Sequence, residues 1–138
     1  MTDMERVMQG VIPYLMIDGA DKAIEFYKKA FGAKDIGTIR TDDGKHVMHC
    51  QLEINGGGLM LSDAAIMGGK QTPSESYTMQ LIIHHGDTWW KRAVDAGCKV
   101  TTPFEKQFWG DRYGRLQDPF GIDWALNEPG PENLKKDK

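Results

Sequence analysis

The chain has 138 residues, 40% hydrophobic and 27% charged, with a formal net charge of −3. This is the size and balance of a single globular domain, and a mildly acidic chain lacks the basic surface that nucleic-acid binders present. No apolar run approaches the ~20 residues needed to span a bilayer. The N-terminus has no basic-then-apolar order, and Cys50 and Cys98 stand alone in apolar patterns, so a cytoplasmic protein without disulfides is expected.

The first predicted element is a strand over Val11 to Ile17, closed by Asp18-Gly19. Asp21 is placed as the N-cap of a helix from Lys22 to Phe31, on which Ala23, Ile24, Tyr27 and Phe31 share one face. Gly32 stops that helix. Three strands follow, near Asp35 to Arg40, Val47 to Ile54 and Leu59 to Leu61, with turns at Asp42-Asp43-Gly44 and at Asn55 to Gly58. In the second of these, His49, Gln51 and Glu53 alternate with Met48, Cys50, Leu52 and Ile54.

After a glycine-containing linker the order of elements returns. Tyr77 to Ile83 reads as a strand, Asp87 as an N-cap, Thr88 to Ala96 as a helix stopped by Gly97, and Lys99 to Thr101 as a strand. The segment from Phe108 to Asn127 then joins a loop bearing Trp109, Arg112, Tyr113 and Arg115, a strand, a turn at Asp118-Pro119-Phe120-Gly121, and a closing strand with Ile122, Trp124 and Leu126 on one apolar face. Aromatics and fixed positive charge on a loop feeding a strand suit the mouth of a small-molecule pocket; they equally suit a plug at the end of a barrel.

Asp21 and Asp87 stand 66 residues apart, Gly32 and Gly97 65, and Gly58 and Gly121 63. The chain therefore reads as an α+β fold of two tandem βαβββ modules, the first over about 10–63 and the second over about 77–128. A linker over about 64–76 joins them, and the polar tail 129–138 is expected to fray.

This duplication, together with P-Y-L-M-I-D-G-A-D-K-A-I-E-F-Y-K-K-A-F-G, V-M-H-C-Q-L-E-I and W-G-D-R-Y-G-R-L-Q-D-P-F-G, resembles the vicinal oxygen chelate superfamily, and within it the PhnB-like branch. That superfamily includes glyoxalase I, extradiol dioxygenases, and fosfomycin- and bleomycin-resistance proteins. The resemblance implies that each module curls into a half-barrel with its helix outside and a pocket on the concave faces. It also implies a homodimer. Val11, Pro13, Leu15 and Ile17 would then face the helix, and Ile12, Tyr14 and Met16 the cavity. In the second module Met79, Leu81 and Ile83 would face the helix, and Thr78, Gln80 and Ile82 the cavity.

Metal-using relatives place one ligand on the first and fourth strand of each module. Those positions align here with Ile12, Ser62, Thr78 and Ala125, and their neighbours Pro13, Leu61, Met79 and Trp124 are no better as donors. Asp63 and Asp123 are the only nearby carboxylates. The usual four-ligand site is expected to be lost, and no cofactor is assigned. His49 has three readings, as a pocket acid or base, a metal ligand, or a satisfied hydrogen-bonding group. His84-His85 reads as solvated loop and His46 as turn surface. Of Trp89-Trp90, one should pack inward and the other lie at an interface. No nucleophile-elbow, P-loop or dinucleotide motif stands in its required context.

The resulting reading is a PhnB-like small-molecule-binding protein of unassigned substrate. Its pocket residues are Tyr14, Met16, His49, Gln51, Met60, Gln80, Trp109, Arg112, Tyr113 and Asp123. His49 is the candidate for proton transfer, and Arg112 or Arg115 for holding an anionic group. Two alternatives stay open. One is a resistance-type protein that sequesters a drug or metabolite unchanged; the other is a metal-dependent lyase or dioxygenase with a rearranged site. Whether a reaction is catalysed is not decided by the residues, and neither nucleic acid nor membrane is expected as a partner.

Overall fold

The structure, a computed structural model, describes residues 2–134. It divides into two compact units, Met1–Thr72 and Pro73–Lys138. The first contains α1 (Asp3–Val7), β1 (Tyr14–Ile17), α2 (Ala20–Phe31), β2 (Lys34–Arg40), β3 (Val47–Ile54) and β4 (Gly57–Asp63), then a 3-10 turn over Ala64–Met67. The second contains β5 (Met79–Ile82), α3 (Gly86–Ala96), β6 (Lys99–Lys106), β7 (Arg112–Gln117), β8 (Asp123–Glu128) and α4 (Pro131–Leu134). Each unit is βαβββ in order, as the repeat predicts. The sheets run β1-β4-β3-β2 and β5-β8-β7-β6 and are open, four-stranded and mixed, with β1 parallel to β4 and β5 parallel to β8. No helix among the described residues is long and apolar enough to cross a membrane.

One helix covers one face of each sheet. On α2, Ala23, Ile24, Tyr27, Ala30 and Phe31 are buried, and they meet Leu15, Ile17, Cys50, Leu52, Leu59 and Leu61 from the strands. Tyr27 and Phe31 are both 0% exposed; burying each stabilises the unit by about 2–3 kcal/mol. In the second unit Trp124, Leu126, Leu116, Leu81 and Ile83 form the corresponding layer.

Both helices start differently from prediction. The N-caps are Gly19 (φ 84°) and His85 (φ 59°), both left-handed, so neither side chain caps its helix. A carboxylate at the end of the last strand does so instead. Asp63 Oδ1 accepts the Ala20 N–H at 2.9 Å, and its Oδ2 accepts the Val47 N–H at 2.7 Å. Glu128 Oε2 accepts the Gly86 N–H at 3.1 Å. Asp21 and Asp87 are therefore not caps. They lie in the first helical turns and pair with Arg40 and Arg112, which hold both carboxyls below the usual range.

The pairing also corrects the internal repeat. Leu15 faces Leu61 and Leu81 faces Leu126, so the last strands correspond at an offset of 65 residues, not 63. Met60 is thus the counterpart of Ala125, Ser62 of Asn127, and Asp63 of Glu128.

Several boundaries move for physical reasons. β1 begins at Tyr14, not Val11: Pro13 has no N–H to donate, and Val11 is 97% exposed rather than facing the helix. Met48 is exposed, not buried with Cys50, because the β2–β3 register shifts between Ile39 and Arg40. β6 continues past Thr101 to Lys106, with a second register shift that accommodates Pro103. Part of the tail is ordered as α4, and residues 135–138 lie outside the described residues.

The Asp118-Pro119-Phe120-Gly121 turn is a closed hydrogen-bonded knot. Asp118 Oδ1 accepts the N–H groups of Phe120 (2.8 Å) and Ile122 (3.0 Å), and Oδ2 accepts Trp124 Nε1–H at 2.9 Å. Burial, with the nearby Asp118 charge adding, pushes the Cys98 thiol up to about 12.

Two expectations follow. Asp63→Ala leaves two N–H groups without their acceptor and should cost about 3 kcal/mol in denaturant unfolding, while Asp63→Asn, which keeps one acceptor, should cost about half as much. The folded Cys98 pKa lies above its unfolded value of about 8.5, so its contribution is complete below that pH and is lost as pH rises toward the folded value. The thermal midpoint should fall through this alkaline window, and less steeply in Cys98→Ala.

Candidate functional site

The face of each sheet turned away from its helix carries the polar side chains. In the first unit Gly37, Gln51, Met60 and Tyr14 form one cross-strand row over β2, β3, β4 and β1. Ile39 and His49 pair beside it, as do Met16 and Ser62. Tyr14 reaches over β4 to β3, with its Oη 3.0 Å from His49 Nδ1 and the ring centroids 5.6 Å apart. His49 is half-buried, and Nε2 has no partner among the described residues. A ring held at Nδ1 presents Nε2 in one direction, as proton transfer to or from a bound molecule requires. Tyr14 (46% exposed) and Met16 (41%) leave this end of the face open.

The other end is covered by α1, which is not among the predicted elements. Thr2 and Glu5 form a capping box that starts the helix, and Arg6 then pairs with Glu53 at 3.1 Å. Gly58 admits it: a Cβ there would lie 2.6 Å from the Val7 carbonyl oxygen.

In the second unit the corresponding face holds Gln80, Ala125 and Arg115 in one row, Ile82, Asn127 and Tyr113 in the next, and the pair Asp123–Gln117. Arg115 Nη2 donates to Thr78 Oγ1 at 2.8 Å, and Nη1 donates to Tyr113 Oη at 3.3 Å. Trp109 stands edge-on to Tyr113 with centroids 5.7 Å apart. Asn127 and Asp111, which sequence reasoning missed, order the end of this face. Asp111 accepts from Asn127 Nδ2 (2.9 Å), the Gly130 N–H (2.8 Å) and Asn133 Nδ2, tying α4 down, and these bonds hold its carboxyl low.

Arg112 lies apart from Tyr113 and Arg115. It begins strand β7 rather than standing on a loop, and strand parity sends it to the helix side, opposite Tyr113 and Arg115. Its guanidinium donates to Asp87 at 2.7 Å and to Glu128 at 3.3 Å, and lies 4.4 Å over the Phe104 ring. Trp90 stacks on Phe104 on that side, above Gly114, where any Cβ would lie 2.7 Å from the indole. Trp89 carries Arg92 over its ring instead. The pocket residues of the sequence reading thus separate into Tyr14, Met16, His49, Gln51 and Met60 on the first face, and Gln80, Tyr113 and Asp123 on the second, with Trp109 beside Tyr113.

At the positions that the resemblance implies for metal ligands, few donor atoms are on offer. Ile12 and Ala125 carry no donor atom, and Thr78 Oγ1 already accepts from Arg115. The corrected register replaces Ser62 by Met60 as the counterpart of Ala125, and a thioether is a poor ligand for a hard divalent ion. Among the described residues, no three His, Cys, Asp or Glu side chains are grouped to hold an ion.

Residues 8–126 match the model of the Glyoxalase/Bleomycin resistance protein/Dioxygenase superfamily. An uncharacterised protein of Mycobacterium tuberculosis is 43% identical over 124 residues, covering 85% of this chain and 72% of its own. Protein YjdN of Escherichia coli is 25% identical over 138 residues, covering 83% of this chain and 92% of its own. Two of the solved structures that share the fold illustrate the likeness. The first is a PhnB protein of Bacillus cereus described as a putative 3-demethylubiquinone-9 3-methyltransferase, with TM-score 0.65 and 22% identity over 87% of this chain and 99% of that one. The second is the fosfomycin resistance protein FosX of Listeria monocytogenes, with TM-score 0.65 and 15% identity over 91% and 96%.

Arg112→Gln should therefore behave as a stability mutation. The thermal midpoint should fall, because Glu128 loses its cation, while ligand affinity measured on the folded variant stays at the wild-type value.

Proposed function

Because the chain belongs to the glyoxalase/bleomycin resistance protein/dioxygenase superfamily, we propose that it is a PhnB-like protein that binds a small molecule without the four-ligand metal site of its metal-using relatives. The ligand lies on the helix-free face of the first sheet, against Tyr14, Met16, His49, Gln51 and Met60. The observation that carries this reading is the 3.0 Å contact between Tyr14 Oη and His49 Nδ1. It fixes an imidazole on an open sheet face with Nε2 uncommitted, between exposed apolar side chains that supply contact area. His49 Nε2 would move the proton if the ligand is transformed, and Tyr14 would hold the ring. A homodimer belongs to the same proposal, since Tyr14, Met16 and Ile39 (58% exposed) leave apolar surface on this face.

Sequestration without turnover is favoured by a separate observation. Phe108 is 97% exposed and stands edge-on to Trp109, beside a cavity of about 400 Å³ lined also by Lys106, Gly110 and Asn133. Such a pair suits stacking on an aromatic ligand.

One screen tests both readings. A metabolite and drug library is run by thermal shift against wild type and His49→Ala, and every hit is followed for product. Hits lost or weakened at least about tenfold in His49→Ala place the ligand at His49. Product from wild type alone assigns catalysis, and saturable binding without product assigns sequestration. Hits bound equally by His49→Ala remove His49 from the site.

A further inference from the structure

The second sheet holds a fixed positive charge where the family resemblance implies a metal ligand. Arg115 on β7 and Ala125 on β8 are cross-strand partners, and Ala125 continues the row to Gln80 on β5. Because β8 lies between β5 and β7, a guanidinium from β7 reaches Thr78, just ahead of β5, only by crossing β8. Arg115 makes that crossing, since its Nη2 is 2.8 Å from Thr78 Oγ1. A small side chain beneath is required, and Ala125 provides it. In the first sheet the corresponding residues are Met60 and Gln51, so this feature belongs to the second unit alone.

Among the described residues the guanidinium has no counter-ion. Its two acceptors, Thr78 Oγ1 and Tyr113 Oη, are neutral hydroxyls, and among the described residues no carboxylate pairs with it. Arg6, Arg40 and Arg112 each hold a carboxylate. Asp123 lies on the same face but accepts from Gln117 Nε2 at 3.2 Å. The Gln80 side chain, at the far end of the row, is exposed and makes no hydrogen bond among the described residues. A half-buried guanidinium held in place by hydroxyls, with N–H donors of its fork unused, is built to receive a planar or tetrahedral oxyanion.

The geometry points to an oxyanion site on the helix-free face of the second sheet, where Arg115 and Gln80 receive the carboxylate or phospho group of a small molecule. The same cation repels a divalent ion from Thr78 and Ala125, two of the positions that metal-using relatives employ. A fixed protein charge therefore stands in place of the metal's. The site is independent of the His49 reading, which concerns the other unit.

Titrations of inorganic phosphate and of acetate at constant ionic strength, with chloride as control, test the proposal. Thermal shift and tryptophan fluorescence are the readouts, since Trp109 stands against Tyr113, which bonds Arg115. Wild type should respond saturably to phosphate, acetate or both, and not to chloride; which anion responds tells a phospho group from a carboxylate. Arg115→Gln should weaken the response at least about tenfold, and Arg115→Lys should restore part of it. Should Arg115→Gln not fold, Thr78→Val carries the test: it removes the hydroxyl that positions the guanidinium and should bind several-fold more weakly. No saturable response in wild type overturns the proposal. So does an unchanged response in folded Arg115→Gln or, failing that variant, in Thr78→Val. Either result leaves the His49 screen unaffected.

Discussion

A carboxylate at the end of the last strand is the constraint on which each unit depends. Asp63 and Glu128 occupy equivalent places, and each accepts the first N–H of the helix that covers its sheet. Asp63 also takes the first N–H of β3, so one side chain joins the start of a helix, the start of a strand and the end of another. A buried carboxylate is costly unless fully hydrogen-bonded, and here the orphan donors of a helix N-terminus supply the bonds while the helix dipole favours the charge. Fixing the helix at that point decides which face of the sheet is covered. The opposite face is left for α1 at one end of the first sheet, and for Tyr14 and His49 at the other.

Much of the scaffold was legible because it rests on local patterns. The spacing of Ala23, Ile24, Tyr27 and Phe31, the alternation along β3 from Cys50 to Ile54 and the Asp118-Pro119-Phe120-Gly121 turn are set by neighbours in sequence, and the structure contains all three. The helix starts were not legible in the same way. The acceptor for Ala20 lies 43 residues downstream and that for Gly86 lies 42 downstream, so no local signal announces either. The nearer acidic residues, Asp21 and Asp87, imitate caps while serving as arginine partners. The capping box of Thr2 and Glu5 was readable from spacing alone, and with it α1.

The site was legible in part for the same reason. His49 and Gln51 could be placed on one face because their strand was predicted with its full length. Arg112 and Arg115 could not be told apart, because reading 109–115 as loop gave them no parity. Once β7 begins at Arg112, alternation sends Arg112 to the helix and Arg115 to the open face. The repeat offset erred by two residues, which preserves parity and so left the faces correct while misassigning Ser62 as the counterpart of Ala125. Asn127 escaped notice because its role depends on Asp111, 16 residues away in the chain.

The two units present different chemistry on equivalent surfaces. Where the first has Met60 and Gln51, the second has Ala125 and Arg115, and the exchange of a large side chain for a small one is what lets the guanidinium lie across β8. In the arrangement proposed for the second unit, a fixed cation stands at Thr78 and Ala125 in place of a metal. Anomalous diffraction from crystals grown with manganese(II) and phosphate measures this directly. Oxyanion density against the Arg115 guanidinium and no manganese peak beside Thr78 are expected. A manganese peak within coordination distance of Thr78 Oγ1, with Arg115 turned away, would show that the cation does not replace a metal there.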